Sequence, residues 1–179
     1  MDRKTRKDYI DSVIRTIADF PKPGILFKDI TTLLADAKAL DYTYSLLEEG
    51  IPKDLGVTKI VGLESRGFLF GTMLAKELGM GFVPVRKPGK LPFVTYSETY
   101  ELEYGSNVLE IHTDAIKPGE KVVIHDDLMA TGGSALAAKR LVEKCGGEVV
   151  HYSFIIELAF LKGRNSLDNN SISTILSVD

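Results

Sequence analysis

Residues 122–134 read VVIHDDLMATGGS. Four near-apolar residues, Val122 to His125, run into two acids, Asp126 and Asp127. The acids run into a small-residue loop that contains Gly132 and Gly133. SALAAKRLVEKCGG follows, with Ala137, Leu141 and Cys145 on one helical face and Gly146–Gly147 closing the helix. Strand, Gly-rich loop and helix in that order form the repeating unit of a parallel α/β sheet.

The same alternation extends to both sides. KIVGLES (59–65) reads as a buried strand and GFVPVRK (81–87) as a second. Between them GFLFGTMLAKELG (67–79) reads as a helix, with Phe70, Leu74 and Leu78 at i, i+4, i+8 and Gly79 as the stop. KVVIHDD (121–127) is the third strand, EVVHYSFIIEL (148–158) the fourth and ISTILSV (172–178) a candidate fifth. Toward the N-terminus a helix is expected over residues 8–17, stopped by Pro21 and Pro23 of DFPKPG. ILFKDITTLL (25–34) is an apolar patch interrupted by Lys28 and Asp29, and a second helix is expected over residues 37–49. Residues 87–120 are too many for a simple strand-to-helix connection. Within them TYELEY puts Tyr100, Leu102 and Tyr104 on one side and Glu101 and Glu103 on the other, a period-2 hairpin signal. Long insertions in compact domains often serve as lids or binding loops.

Bulk properties narrow the class. A chain of 179 residues suggests one domain, large enough to bury a substantial core. With 44% hydrophobic and 26% charged residues the balance is globular, not disordered. A net charge of -3 argues weakly against a general nucleic-acid binder. The one cysteine, Cys145, excludes an intrachain disulfide and fits a reducing compartment. MDRKTRKDYIDSV at the start has no apolar secretory core, and no apolar run approaches the ~20 residues of a membrane span. A cytoplasmic protein is the expectation. His112, His125 and His151 lie in separate segments without metal-ligand spacing.

In a parallel sheet, ligands bind at the carboxyl ends of strands, where Asp126 and Asp127 sit. Gly132 and Gly133 let backbone N–H groups approach an anion, and the helix N-terminus adds a favourable dipole. The Thr131 and Ser134 hydroxyls can add hydrogen bonds. No lysine follows the glycine pair and no G-x-G-x-x-G is present, so the two commonest phosphate loops are excluded. A plainer alternative is a helix start with a serine cap and glycines for tight packing. Two adjacent acids at a strand end, however, need partners. A sugar diol supplies them by donating two hydroxyl hydrogens, and Mg²⁺ is the other candidate. Acids and loop together suit a ribose phosphate.

VVIHDDLMATGGS resembles the phosphoribosyl-pyrophosphate signature of type I phosphoribosyltransferases, most of all in its adenine-specific form. FPKPGILFKDIT, GLESRGFLFG, RKPGKLP, YELEYG and IELAFLKGR have counterparts in the same order, so the resemblance covers nearly the whole chain. It implies an α/β fold with a central, mostly parallel sheet flanked by helices. It also implies a small N-terminal hood (1–35) and a flexible hairpin lid in the 87–120 insertion of a single domain, 1–179. The implied reaction joins adenine and phosphoribosyl pyrophosphate to give AMP and pyrophosphate. Mg²⁺ would be bound mainly through the substrate, and the enzyme would be a homodimer.

The resemblance also implies roles. Asp126 and Asp127 would hold the ribose hydroxyls, with Ala130, Thr131, Gly132, Gly133 and Ser134 around the 5′-phosphate. LESRG would carry a non-proline cis peptide at Glu64–Ser65, with Ser65 and Arg66 on pyrophosphate and Arg66 among the catalytic groups. Arg86, Lys87 and Lys90 would supply positive charge where the leaving group's own charge grows. Leu26 and Phe27, the backbone around Leu26 and Lys28, and Leu128 with Ala130 would form the adenine pocket. Lys28 stands where many relatives have arginine and lacks the planar fork, which leaves it a backbone role. Glu103 would handle the purine proton and Tyr104 would help close the lid. His125 stands where relatives usually have an apolar residue and reads as a strand histidine beside the site. Each of these has a plainer counterpart: a surface salt bridge for Arg66, a solvated turn for Lys90, an exposed hairpin carboxylate for Glu103, an apolar staple for Phe27.

Two other functions compete. A xanthine or hypoxanthine phosphoribosyltransferase would recognise a 6-oxo group, usually with a lysine, and the FPKPGILFKDI and ATGG segments disfavour it. A non-catalytic nucleotide-sensing regulator on the same fold would need a nucleic-acid-binding element. Only about twenty residues precede FPKPG, too few for a winged helix.

Overall fold

The computed structural model describes residues 1–101, 106–167 and 171–179, which cluster as two units, Met1–Leu46 and Leu47–Asp179. In the first unit the Asp2 carboxylate accepts the Thr5 N–H at 3.0 Å and caps α1 (Arg3–Val13). The helix expected over residues 8–17 is thus corrected at both ends. Its last part is strand: β1 (Arg15–Ala18) pairs antiparallel with β2 (Leu26–Asp29). Ile14, Thr16 and Ile17 are β-branched, and their stiff side chains favour the extended backbone. Arg15 ties this hairpin to Asp29 at 2.7 Å. Asp29 also accepts the Thr31 hydroxyl and N–H at 2.7 and 2.9 Å, which starts the short helix α2 (Thr31–Ala35). Those Thr31 bonds, with help from Arg15, hold the Asp29 carboxyl down at about 2. Helix α3 (Ala37–Gly50) matches the second expected helix.

The second unit follows the alternation in the sequence. Its elements are β3 (Val57–Leu63), α4 (Gly67–Glu77), β4 (Gly81–Val85), β5 (Thr95–Glu101), β6 (Ser106–His112), β7 (Lys121–Met129), α5 (Gly133–Lys144), β8 (Glu148–Leu158) and β9 (Ser171–Val178). Two 3₁₀ turns, Ala159–Leu161 and Gly163–Ser166, lie between β8 and β9. The sheet order is β4-β3-β7-β8-β9 and every pair is parallel. Strand β7 is central, and Val122, Val123, Ile124 and His125 are all fully buried in succession. Burial on both faces explains why the strand reads as a continuous apolar run and does not alternate. Leu141 of α5 packs with Ile124 and Phe154 in the core.

The long insertion is a hairpin of β5 and β6, wider than the TYELEY segment that announced it. Residues 102–105 lie outside the described residues, and with them Glu103, expected to handle the purine proton, and Tyr104, expected to help close the lid. The base of the hairpin is anchored. Arg86 and Glu110 exchange backbone hydrogen bonds at 2.9 and 2.7 Å. Leu109 and Ile111 enter the core. Glu98 accepts from Lys144 Nζ at 2.7 Å and Arg140 Nη1 at 3.2 Å on α5. No helix among the described residues is long and apolar enough to cross a membrane.

Candidate active site

The parallel order puts the carboxyl ends of β3 and β7 side by side, and this brings Arg66 to the acid pair. Arg66 precedes α4 at the end of β3, and its Nε lies 2.9 Å from Asp127 Oδ2. Asp127 is 4% exposed. Asp126 Oδ1 accepts the Asp127 backbone N–H at 2.9 Å. Burial drives the Asp126 carboxyl well above the usual carboxylate range, and the Asp127 charge adds to it. Burial also raises Asp127, against the pull of the Arg66 guanidinium. Such a pair favours partners that bring hydrogen-bond donors or positive charge.

The strand continues through the acids to Met129, and the loop then turns into α5. Gly132 is the N-cap, in the left-handed region at φ 82°, and no side chain caps the helix. Ser134 sits inside the first turn, so the serine-cap alternative fails. The first-turn N–H groups have no acceptor within the helix and the helix dipole lies behind them, an arrangement that can hold an anion. A cavity of about 220 Å³ opens here. Arg66, the two acids, Leu128 and loop residues 130–134 line it, together with Tyr100 from the hairpin. A sugar-phosphate has its two kinds of recognition group in this one cavity: carboxylates for hydroxyls and backbone donors for phosphate.

Comparison with known proteins agrees with that chemistry. Residues 32–174 match the phosphoribosyl transferase domain family. An adenine phosphoribosyltransferase of Shewanella loihica is 58% identical over 164 residues, covering 92% of this chain and 90% of its own. The chain belongs to the adenine phosphoribosyltransferase family. The solved adenine phosphoribosyltransferase of Rhodothermus marinus superposes with a TM-score of 0.92 at 50% identity, over 98% of this chain and 99% of the other. That of Saccharomyces cerevisiae, solved with adenine and an imino-altritol bisphosphate, gives 0.90 at 44% identity over 97% and 99%. The architecture is accordingly the type I phosphoribosyltransferase fold.

The other residues expected at the site take different places in the two units. The Glu64–Ser65 peptide is cis, as the resemblance implies, and Ser65 is exposed. Arg86 does not line the cavity. Its Nε and Nη2 donate to Glu64 at 3.2 and 3.3 Å, and its Nη1 donates to the Lys90 carbonyl at 3.1 Å. Glu64 also accepts the Lys87 N–H at 2.9 Å, so Arg86 and Glu64 tie the two loops together. Lys87 and Lys90 are exposed. Leu26, Phe27 and Lys28 lie on β2 of the first unit. There Phe27 meets Phe20 edge-on at 5.1 Å, and Lys28 Nζ donates to Thr16 Oγ1 at 3.0 Å. Tyr100 is the lining residue that sequence reasoning passed over, although its place in the alternation with Tyr104 was visible. It also lines a second cavity of about 310 Å³ with Thr131, Arg140 and Ser166.

Proposed function

We propose that this chain transfers the phosphoribosyl group of phosphoribosyl pyrophosphate to a ring nitrogen of adenine, releasing pyrophosphate and forming AMP. The observation that carries the proposal is the joining of the Asp126–Asp127 pair and the uncapped N-terminus of α5 in one cavity. The yeast relative's adenine and bisphosphate support the same substrates.

The transition state of such a transfer resembles an oxocarbenium ion, as in glycoside chemistry. Asp126 and Asp127 accept the ribose hydroxyls and fix the sugar. The N–H groups of the 130–134 loop, with the Thr131 and Ser134 hydroxyls, hold the 5′-phosphate. Arg66 and Ser65, with Arg86, Lys87 and Lys90, serve the departing pyrophosphate, where added positive charge counts most. The exposure of Lys87 and Lys90 suits groups that engage only with ligand present. Leu128 and Ala130 serve the adenine base, and the family resemblance gives Leu26, Phe27 and the backbone at Lys28 the same task. Glu103 handles the purine proton, and Tyr104 helps exclude water from the ribosyl carbon.

Among the described residues no three acidic, histidine or cysteine side chains converge as a metal cage. A magnesium ion would be bound mainly through phosphoribosyl pyrophosphate, by substrate oxygens and water. When bound, the ion would help neutralise the leaving pyrophosphate. A homodimer in the reducing cytoplasm completes the proposal, the compartment supported by the single cysteine.

A competition assay tests the substrate. With phosphoribosyl pyrophosphate and Mg²⁺, adenine should be converted to AMP in preference to hypoxanthine, guanine or xanthine. Turnover of hypoxanthine or guanine without turnover of adenine would overturn the proposal.

A further inference from the structure

The IELAFLKGR segment has no role in the chemistry above, yet the structure sets it against the back of the phosphate loop. Ser166 Oγ donates to the Thr131 carbonyl at 3.0 Å. Gly163 and Gly132 face each other across the contact. A Cβ on Gly163 would lie 2.3 Å from the Ala130 carbonyl oxygen, and one on Gly132 would lie 2.6 Å from the Gly163 carbonyl oxygen. Loop backbone therefore rests directly on turn backbone, with no side chain between.

The turn is itself fixed. Arg164 donates through Nε and Nη2 to the two oxygens of Glu157, at 2.7 and 2.6 Å, a bidentate pair. Glu157 is 7% exposed and also accepts from Thr174 Oγ1 at 3.4 Å. It stands opposite Met129 in the β7–β8 register, so the turn hangs from the strand pair that carries the acids. Neither Glu157, Arg164 nor Ser166 lines the acid-pair cavity.

We propose that the Gly163–Ser166 turn is a brace for the phosphate loop, with Ser166 as a positioning residue for phosphoribosyl pyrophosphate. In a trans peptide the carbonyl and the following N–H point in opposite directions. Holding the Thr131 carbonyl on Ser166 turns the Gly132 N–H away from the brace, and Gly132 lines the cavity. Without the hydroxyl the peptide loses one of its restraints, and the loop's donor is less firmly preset before the phosphate arrives. The proposal rests on the ribose-phosphate role of the loop.

The test uses the full chain and three variants. Ser166→Ala should raise KM for phosphoribosyl pyrophosphate about 5-fold, the worth of one hydrogen bond. KM for adenine, kcat and the melting temperature should hold close to the parent's. Ser166→Thr should restore the low KM. Gly163→Ala, which forces the turn off the loop, should raise that KM further than Ser166→Ala does. An unchanged KM in Ser166→Ala, or equal losses for both substrates along with a lower melting temperature, would overturn the brace. Ribose 5-phosphate binding by calorimetry separates the two levels. If the parent forms no AMP, the transferase function fails. The brace still stands or falls on whether Ser166→Ala binds ribose 5-phosphate more weakly than the parent.

Discussion

Replacing His125 with leucine should remove much of the fold's sensitivity to acid. His125 lies fully buried on β7, and among the described residues neither ring nitrogen has a hydrogen-bond partner of ordinary geometry. Burial pushes its pKa from 6.5 down to about 4, only partly opposed by the Ser153 backbone. Between those two values the unfolded chain binds more protons at this residue than the folded one. Its contribution to stability is therefore fully present above about 6.5 and is lost as the pH falls toward 4. The difference 6.5 − 4, at about 1.4 kcal/mol per pKa unit, comes to roughly 3 kcal/mol across the window and roughly 2 kcal/mol by pH 5. His151 on β8 is also buried and also lowered to about 4, so it adds acid sensitivity that the variant keeps.

Leucine is close in size to the ring and leaves no polar atom unpaired, so at pH 7.5 the variant should be at least as stable as the parent. Asp126 and Asp127 are raised by burial, which makes them stabilise the fold as the pH falls; they are present in both proteins and cancel in the difference. For a chain of this size ~1 kcal/mol moves the melting temperature by roughly 2–4 °C. Between pH 7.5 and 5.0 the parent should lose roughly 4–8 °C more than His125→Leu, measured by circular dichroism melts. Parallel losses in the two proteins would refute the account of His125.

The acid pair, the lid and the hairpin anchor give three more expectations. Asp126→Asn with Asp127→Asn should raise KM for phosphoribosyl pyrophosphate roughly 100-fold, because two charge-assisted hydrogen bonds to the sugar are weakened; a KM within a few-fold of the parent's would show that the acids do not hold the ribose. Glu103→Gln should lower kcat by about 10²–10⁴ while ribose 5-phosphate affinity stays near the parent's, as expected for a proton-handling group; an unchanged kcat removes Glu103 from the chemistry. Glu98, held below the usual carboxylate range chiefly by its hydrogen bond from Lys144, with Arg140 assisting, pins the hairpin to α5. Glu98→Gln should speed amide hydrogen exchange in β5 and β6 and leave β3 and β7 unchanged; equal protection throughout would count against the clamp.

Sequence order made some of this legible. The strands of the sheet could be read because a parallel strand buried on both faces is a mostly apolar run, and β8 has the bounds of the expected EVVHYSFIIEL, Glu148–Leu158. The acidic, glycine-rich loop could be read because its acids and glycines are contiguous. The end of α1 could not, because Ile14 and Ile17 suit a helical face and a strand alike. Pairing with Leu26–Asp29, beyond the intervening turn, decides for the strand. The ion pair between Arg66 and Asp127 depends on which strands are neighbours, which no local pattern encodes. For the same reason the pairing of Arg86 with a carboxylate could not be read from the sequence. Its carboxylate partner, Glu64, reaches it only once β3 and β4 lie in register.

Two carboxylates beside an anion site would appear to oppose it, and their placement shows why they do not. Arg66 answers the Asp127 charge at 2.9 Å, and burial disfavours full ionisation of both acids. The remaining cost falls unequally on different ligands. On the proposed function, inorganic phosphate would engage only the N–H groups at the start of α5 and would meet the acids as repulsion. A ribose phosphate would engage the same N–H groups and would also bring hydroxyl hydrogens to the carboxylates. The acids would thus weaken binding of a bare anion and strengthen binding of one that carries a sugar, a difference of affinities built from a repulsive and an attractive element in one cavity. A glycine loop on a helix N-terminus alone would select charge; with Asp126 and Asp127 at the end of β7 it would select what the charge is attached to.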